Sequence, residues 1–231
     1  MASARHWASW VLAGVASALV AAVGAPFVYI HFIEGKAPAP LTVASSAPGA
    51  AASQSANVPL DGTWKVAQGS QAGYRVKEVV FGQDNIAAGR TSGLSGQITV
   101  AGTQVTAASF TADLTSVKSD QSRRDGQFQG RIMDTADFPT AGFTLTSPID
   151  LGTAPSEGTI ITPRVTGNLS LRGTTRPVRF TVTAKRSGAG IQVSGQIPIT
   201  FAEFNIPNPS YGPVATQDNG ILEFLLVLSH P

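Results

Sequence analysis

Apolar residues recur at every second position through most of residues 60–231, and that period confines this part of the chain to half-buried β-strands. Tyr74, Val76 and Val80 share one strand face, and Phe110, Ala112 and Leu114 share another. Phe143 with Leu145, and Val165, Gly167, Leu169 with Leu171, repeat the pattern. So do Val178, Phe180, Val182 with Ala184, and Ile191, Val193, Gly195, Ile197, Ile199 with Phe201. Turn chemistry separates the runs at Gly82-Gln83-Asp84-Asn85, Ala101-Gly102-Thr103, Arg172-Gly173-Thr174 and Ser187-Gly188-Ala189-Gly190. The last run, from Ile221 to Leu228, is apolar on nearly both faces, which predicts a central strand covered on both sides.

One stretch breaks the period. Between Ser122 and Met133, Phe128 stands four residues before Ile132, a helical spacing, with Asp120 and Ser122 as N-cap candidates. Gly126 and Gly130 weaken the helix. About eight strands with one short helix predict an all-β domain, an antiparallel barrel closed or nearly closed on itself. The 24 glycines and 15 prolines argue against a helical bundle.

The N-terminus is of another kind. From Trp7 to Ile33 there is no Asp, Glu, Lys or Arg, long enough for a spanning helix, which needs about 20 such residues. Trp7 and Trp10 sit at one end of this run, and Phe27, Tyr29 and Phe32 at the other, where aromatic rings favour membrane interfaces. Residues 1–36 are therefore expected to be a single-pass transmembrane anchor. A signal peptide is the competing reading, and its apolar core should be about half as long. Arg5 before the run favours a cytoplasmic N-terminus and an extracytoplasmic C-terminal domain. Residues 37–59, rich in Ala, Pro and Ser, read as a mobile linker. Apart from Arg5, Glu34 and Lys36, the 16 basic and 14 acidic residues all lie in residues 60–231, which are thus nearly neutral. Without a basic stripe, no nucleic-acid partner is expected.

Catalytic chemistry has little to work with. The chain has no cysteine, and its three histidines are His6, His31 and His230. The domain interior thus has no imidazole as general base, triad member or metal ligand, and no cofactor or metal site is expected. Asp120, Asp125, Asp134 and Asp137 suit caps and turns. Arg123 and Arg124 open the helical stretch, either gripping a phosphate headgroup or pairing with Asp120 or Asp125 on the surface.

Six segments, in order, resemble the YceI family of bacterial lipid-binding proteins. They are Gly69-Ser70-Gln71-Ala72-Gly73-Tyr74-Arg75-Val76; Gly93-Leu94-Ser95-Gly96-Gln97-Ile98; and Ser119-Asp120-Gln121-Ser122-Arg123-Arg124-Asp125. The others are Asp137-Phe138-Pro139-Thr140-Ala141-Gly142-Phe143, the block from Val165 to Val178, and Phe201-Ala202-Glu203-Phe204-Asn205-Ile206. Where the family often carries His or Arg, this chain has Gly69, Gly126-Gln127 and Ala202. The resemblance implies a lipocalin-like barrel with a long apolar cavity for a polyisoprenoid or other long-chain lipid. Alternation alone favours a barrel filled with its own side chains, which would serve as a protein-interaction module, and it is the resemblance that favours a cavity. An enzyme acting on lipid or envelope is the third reading.

If a cavity exists, the inward faces line it. The candidates are Tyr74, Val76, Phe110, Ala112, Leu114, Phe143, Leu145, Leu169, Phe180, Val182, Ile197, Ile199 and Phe201. Glu78, Arg90, Arg123 and Arg124 are the polar candidates for a headgroup or for structure. With the first hairpin turning about Asp84, Glu78 stands opposite Arg90, which predicts their contact, and Tyr74 stands opposite Leu94.

Overall fold

A computed structural model describes residues 37–43, 59–187 and 190–230. The expected anchor (1–36) and most of the expected linker lie outside the described residues. None of the described helices is long and apolar enough to cross a membrane. The alternating segments form strands β1 (Gly62–Val66), β2 (Gln71–Val80), β3 (Gln83–Thr91), β4 (Leu94–Ala101), β5 (Gln104–Asp113) and β6 (Lys118–Ser119). A helix, α1 (Ser122–Gln127), and a π-helical turn (Phe128–Ile132) follow. Then come β7 (Thr140–Leu145), β8 (Ile149–Asp150), β9 (Ile160–Ile161), β10 (Arg164–Leu171), β11 (Thr174–Ser187) and β12 (Gly190–Thr200). A single 3-10 turn (Phe201–Phe204) precedes β13 (Val214–Thr216) and β14 (Asn219–Ser229).

Eight of these strands close an antiparallel barrel in the order β1-β4-β5-β7-β10-β11-β12-β14, with β14 returning to β1. Closure removes the free edges an open sheet would expose. On the edge away from β12, β14 pairs with two partners in turn. Its lower part meets β1 (Leu228 opposite Val66), and its upper part meets β2 (Ile221 opposite Arg75). β2, β3 and β6 thereby raise one wall above the closed ring. The chain makes this change of partner at a bend between β1 and β2, where Gly69 takes φ +95°. Ser70, the serine of the first resembling segment, locks the bend. Its buried hydroxyl lies 2.9 Å from the Ala67 carbonyl and 3.1 Å from the Val227 carbonyl, and accepts the Val227 N–H at 2.9 Å.

The structure corrects the register of the first hairpin. The two turn residues are Phe81 and Gly82, with φ of 49° and 81°, and Val80 pairs with Gln83. Glu78 therefore stands opposite Asn85, Arg90 opposite Gly73, and Tyr74 opposite Gly89. The expected Glu78–Arg90 and Tyr74–Leu94 pairings do not form. In a two-residue turn with both residues at positive φ, Gly serves well as the second, so the hairpin closes ahead of Gln83-Asp84-Asn85. Those polar residues belong to the strand. The turn between β10 and β11, Arg172-Gly173, has the same form, with φ of 46° and 71°.

The helical stretch also differs in detail. Gln121, not Asp120 or Ser122, is the N-cap of α1, and it makes no side-chain cap bond. The π turn bonds the Met133 N–H to the Phe128 carbonyl at 2.8 Å. The buried pair is consequently Phe128 and Met133, five residues apart, rather than Phe128 and Ile132. Asp125 is buried too, and accepts the Ser119 N–H and hydroxyl, each at 2.7 Å, which fastens α1 to β6.

As expected, β14 is covered on both sides. Leu222, Phe224, Leu226 and Leu228 face inward, and the outer cover is residues 37–43, lying across the wall with Leu41 and Val43 buried. That segment was expected to be free linker. It adheres because two apolar side chains, the Leu41 and Val43 N–H groups and the Pro38 and Ala39 carbonyls find partners on the barrel.

Ser70→Ala leaves the Val227 N–H without its hydroxyl acceptor at the bend. We expect it to lower unfolding free energy by about 1–3 kcal/mol, read from urea denaturation, with the m-value unchanged.

Candidate functional site: an apolar channel

The barrel is not filled. A channel of about 960 Å³ runs through it, past an upper apolar cluster around Val76, Leu169, Ile197 and Phe201 and a lower one around Trp64, Val100, Ile191 and Leu228. All thirteen apolar candidates line it: Tyr74, Val76, Phe110, Ala112, Leu114, Phe143, Leu145, Leu169, Phe180, Val182, Ile197, Ile199 and Phe201. Sequence reasoning missed Leu222, Phe224 and Leu226 of β14, whose inward face cannot be told from the outward one when both are apolar. It also missed Phe128 and Met133, which the helical stretch lays over the upper channel.

The channel stays open because its large rings lie flat against the wall. A Cβ on Gly167 would come within 2.3 Å of the Phe143 ring, one on Gly195 within 2.5 Å of Phe224, and one on Gly89 within 2.6 Å of Tyr74. In each case the glycine stands on a neighbouring strand, and its missing side chain is the space that the ring occupies. Phe143, Phe180 and Phe224 form a chain of edge-to-face contacts, with centroids 5.5 and 6.0 Å apart.

Polar groups gather at the upper end. Glu78 points to the channel side, as its strand face requires, and is buried. Asn85 Nδ2 donates to its Oε1 at 2.8 Å, and Arg124 Nη2 donates to the same oxygen at 3.1 Å. Arg124 also pairs with Asp120, one helical turn away. The Tyr74 ring stacks on Phe128 with centroids 5.0 Å apart and planes 10° from parallel, and burial pushes its phenol above the ordinary range. Arg123 lies 5.6 Å over the Tyr211 ring, beside the opening.

Arg90 is elsewhere. On the outer wall it donates to Glu223 Oε1 through Nη2 at 2.9 Å and through Nε at 3.2 Å, with Arg75 Nη1 at 3.7 Å from that oxygen. Leu41 N–H reaches Glu223 Oε2 at 3.2 Å. A lone carboxylate inside the most apolar strand was the available signal for this cluster. Among the described residues no group of three or more His, Cys, Asp or Glu is placed to hold a metal ion.

Residues 64–228 match the family model for the YceI-like domain. The chain belongs to the YceI-like family. Among curated proteins none matches it. Among solved structures, this YceI-like chain is similar to a polyisoprenoid binding domain from Saccharophagus degradans implicated in plant cell wall breakdown. That match has 21% identity and a TM-score of 0.60, covering 73% of this chain and 98% of that one. Burkholderia cenocepacia BcnA is similar at 25% identity and TM-score 0.53, over 68% of this chain and 95% of that one. The Campylobacter jejuni YceI protein shares the fold at 15% identity and TM-score 0.50, over 62% and 84%.

The Glu78–Arg124 pair ties the helical stretch to the barrel wall. In a double-mutant cycle, Glu78→Gln and Arg124→Gln should couple by about 1–2 kcal/mol, whereas Glu78→Gln and Arg90→Gln should add independently. Thermal or urea unfolding of the four chains in each cycle checks this.

Proposed function

We propose that this chain is a membrane-tethered, extracytoplasmic binding protein that holds an isoprenoid or other long-chain lipid in the barrel. The observation that carries the reading is the open channel of about 960 Å³, walled almost entirely by apolar side chains. Pockets for small molecules commonly run about 300–1,000 Å³, so this volume suits one large ligand. Affinity then comes from taking an apolar chain out of water, at about 25 cal/mol for each Å² buried. No catalytic step is involved. The polyisoprenoid-binding relative from Saccharophagus degradans supports a lipid ligand. The charge-free run from Trp7 to Ile33 supports the tether, with the barrel on the far side of the membrane from Arg5.

In this reading the lipid chain lies along Phe110, Phe143, Phe180 and Ile197, and its headgroup stays at the upper end. There Arg124, already engaged by Glu78 and Asp120, is a fixed structural cation, while Arg123 borders the opening. Arg123 is therefore the better candidate for the headgroup.

Ala112 faces the channel between Leu94 and Ala141, so Ala112→Trp places an indole in the void. The expected result is at least about a tenfold loss of copurifying lipid, equivalent to about 1.4 kcal/mol, with the circular dichroism spectrum unchanged. Native mass spectrometry and lipid extraction of the purified chain give the readout. Lipid retained at the parent level by a folded Ala112→Trp chain would overturn the reading.

A further inference from the structure

We propose that the upper end of the barrel docks on the lipid bilayer through the β2–β3 hairpin tip, bringing the channel opening against the membrane. Val79, Phe81, Ile86 and Tyr211 are all exposed, and all belong to this end. Phe81 is 54% exposed and Tyr211 53%. The Phe81 N–H donates to the Pro213 carbonyl at 3.3 Å, which joins the hairpin tip to the loop carrying Tyr211. Both aromatic residues also line the channel opening. An aromatic and aliphatic cluster at one rim is the composition that partitions into a membrane interface, where a polar tip stays wet and the ring does not.

Phe81 is an unusual choice for its place. It is the first residue of a tight turn with φ +49°, a conformation that favours Asn, Asp or Gly. A bulky ring is held there against backbone preference and is left facing solvent. Cationic groups border the patch: Lys77 stands cross-strand from Ile86, and Arg123 lies over Tyr211. Asp84 stands cross-strand from Val79 and is the opposing charge.

Residues 37–43 run over the outer wall toward the strands of this hairpin. Val43 N–H donates to Ser194 Oγ, low on the wall, and Leu41 N–H meets Glu223 one step higher. The Ala39 carbonyl meets Arg90 at the level of Glu223, and the Pro38 carbonyl accepts at 2.6 Å from Arg75 Nη1, which is itself 3.7 Å from Glu223 Oε1. Followed backwards, the segment rises from Ser194 to Glu223 and then crosses from β14 to β2 and β3, the two strands whose hairpin carries Phe81. Three residues separate Ala37 from the charge-free run ending at Ile33, so the tether and the hairpin tip address the same membrane. Docking rests on the reading of the channel as a lipid site, to which it supplies the direction of entry.

The absence of cysteine permits site-specific labelling of the full chain. Val79→Cys and, at the opposite end, Ile160→Cys are each labelled with an environment-sensitive fluorophore. The labelled chains are then reconstituted into phosphatidylethanolamine–phosphatidylglycerol vesicles whose acyl chains carry a shallow nitroxide. An interfacial group sits about 5–10 Å into the headgroup–acyl boundary, so the label at 79 should be quenched at least about twofold more than the label at 160. Adding Phe81→Asn to the Val79→Cys chain should halve that quenching, roughly, without lowering the melting temperature, since Asn suits the turn. Equal quenching at 79 and 160 would overturn the proposal. So would a blue shift at 79 without nitroxide quenching, which would mark a protein partner. Lipid extracted from the same unlabelled chain separates the two readings. Bound lipid without quenching at 79 defeats docking alone, and quenching without bound lipid defeats the channel reading while docking stands.

Discussion

Laying Phe143, Phe224 and Tyr74 over glycines on the next strand is what keeps this barrel open. Eight strands enclose a space that ordinary inward side chains are able to fill. Here Phe143, Phe224 and Tyr74 instead occupy the volume that Cβ atoms at Gly167, Gly195 and Gly89 would need. The rings thereby serve as wall, and the axis remains free. Such packing also compensates glycine's weakness inside a strand, because the ring shields a backbone that would otherwise lack a neighbour. The binding site and the stability of the sheet therefore depend on the same pairs.

The outer wall raises the opposite problem, a buried charge. Glu223 sits in the most apolar strand with its side chain fully covered, and an unpartnered carboxylate there would cost about 3–5 kcal/mol. Arg90 and Arg75 supply opposite charge, and the backbone of residues 37–43 accepts from both guanidiniums and donates to the second carboxylate oxygen. The cover over Glu223 is thus provided by the very segment that leads toward the N-terminal run. A carboxylate that reads as a liability in sequence becomes the point where residues 37–43 are fixed to the barrel.

Period-two alternation carried most of the fold. Inward faces were readable wherever a strand alternates apolar with polar residues, which is why every apolar candidate from Tyr74 to Phe201 lies on the channel. The reading failed where the signal is degenerate. Along β14 both faces are apolar apart from Glu223, which shares the outer face with Ile221 and Leu225, and a single carboxylate is a weaker cue than regular alternation. At the first hairpin, Gln83-Asp84-Asn85 looks like a turn by composition. Asn85 is in fact a strand residue whose amide satisfies the buried Glu78. Residues 37–43 were opaque for a further reason: their order comes from a partner about 180 residues away, Glu223 at |i−j| = 182 from Leu41, and local composition holds no trace of it.

The two ends of the channel are built differently, and the difference bears on how a ligand is oriented. At the upper end Glu78 holds Arg124, Asp125 holds Ser119, and Phe128 stacks on Tyr74, so the helical stretch is pinned by charge, hydrogen bonds and ring contact together. A lipid chain in the channel has apolar walls on all sides and gains nothing from one direction over the other. Its headgroup does not share that indifference, since a polar group drawn into the barrel would lose its water without replacement. The pinned cluster fixes a polar rim beside Arg123 at one opening, whereas Lys185 and Arg186 line the channel toward the other, so in the proposed reading the upper rim would differ from the lower in being held rigid by the helical stretch.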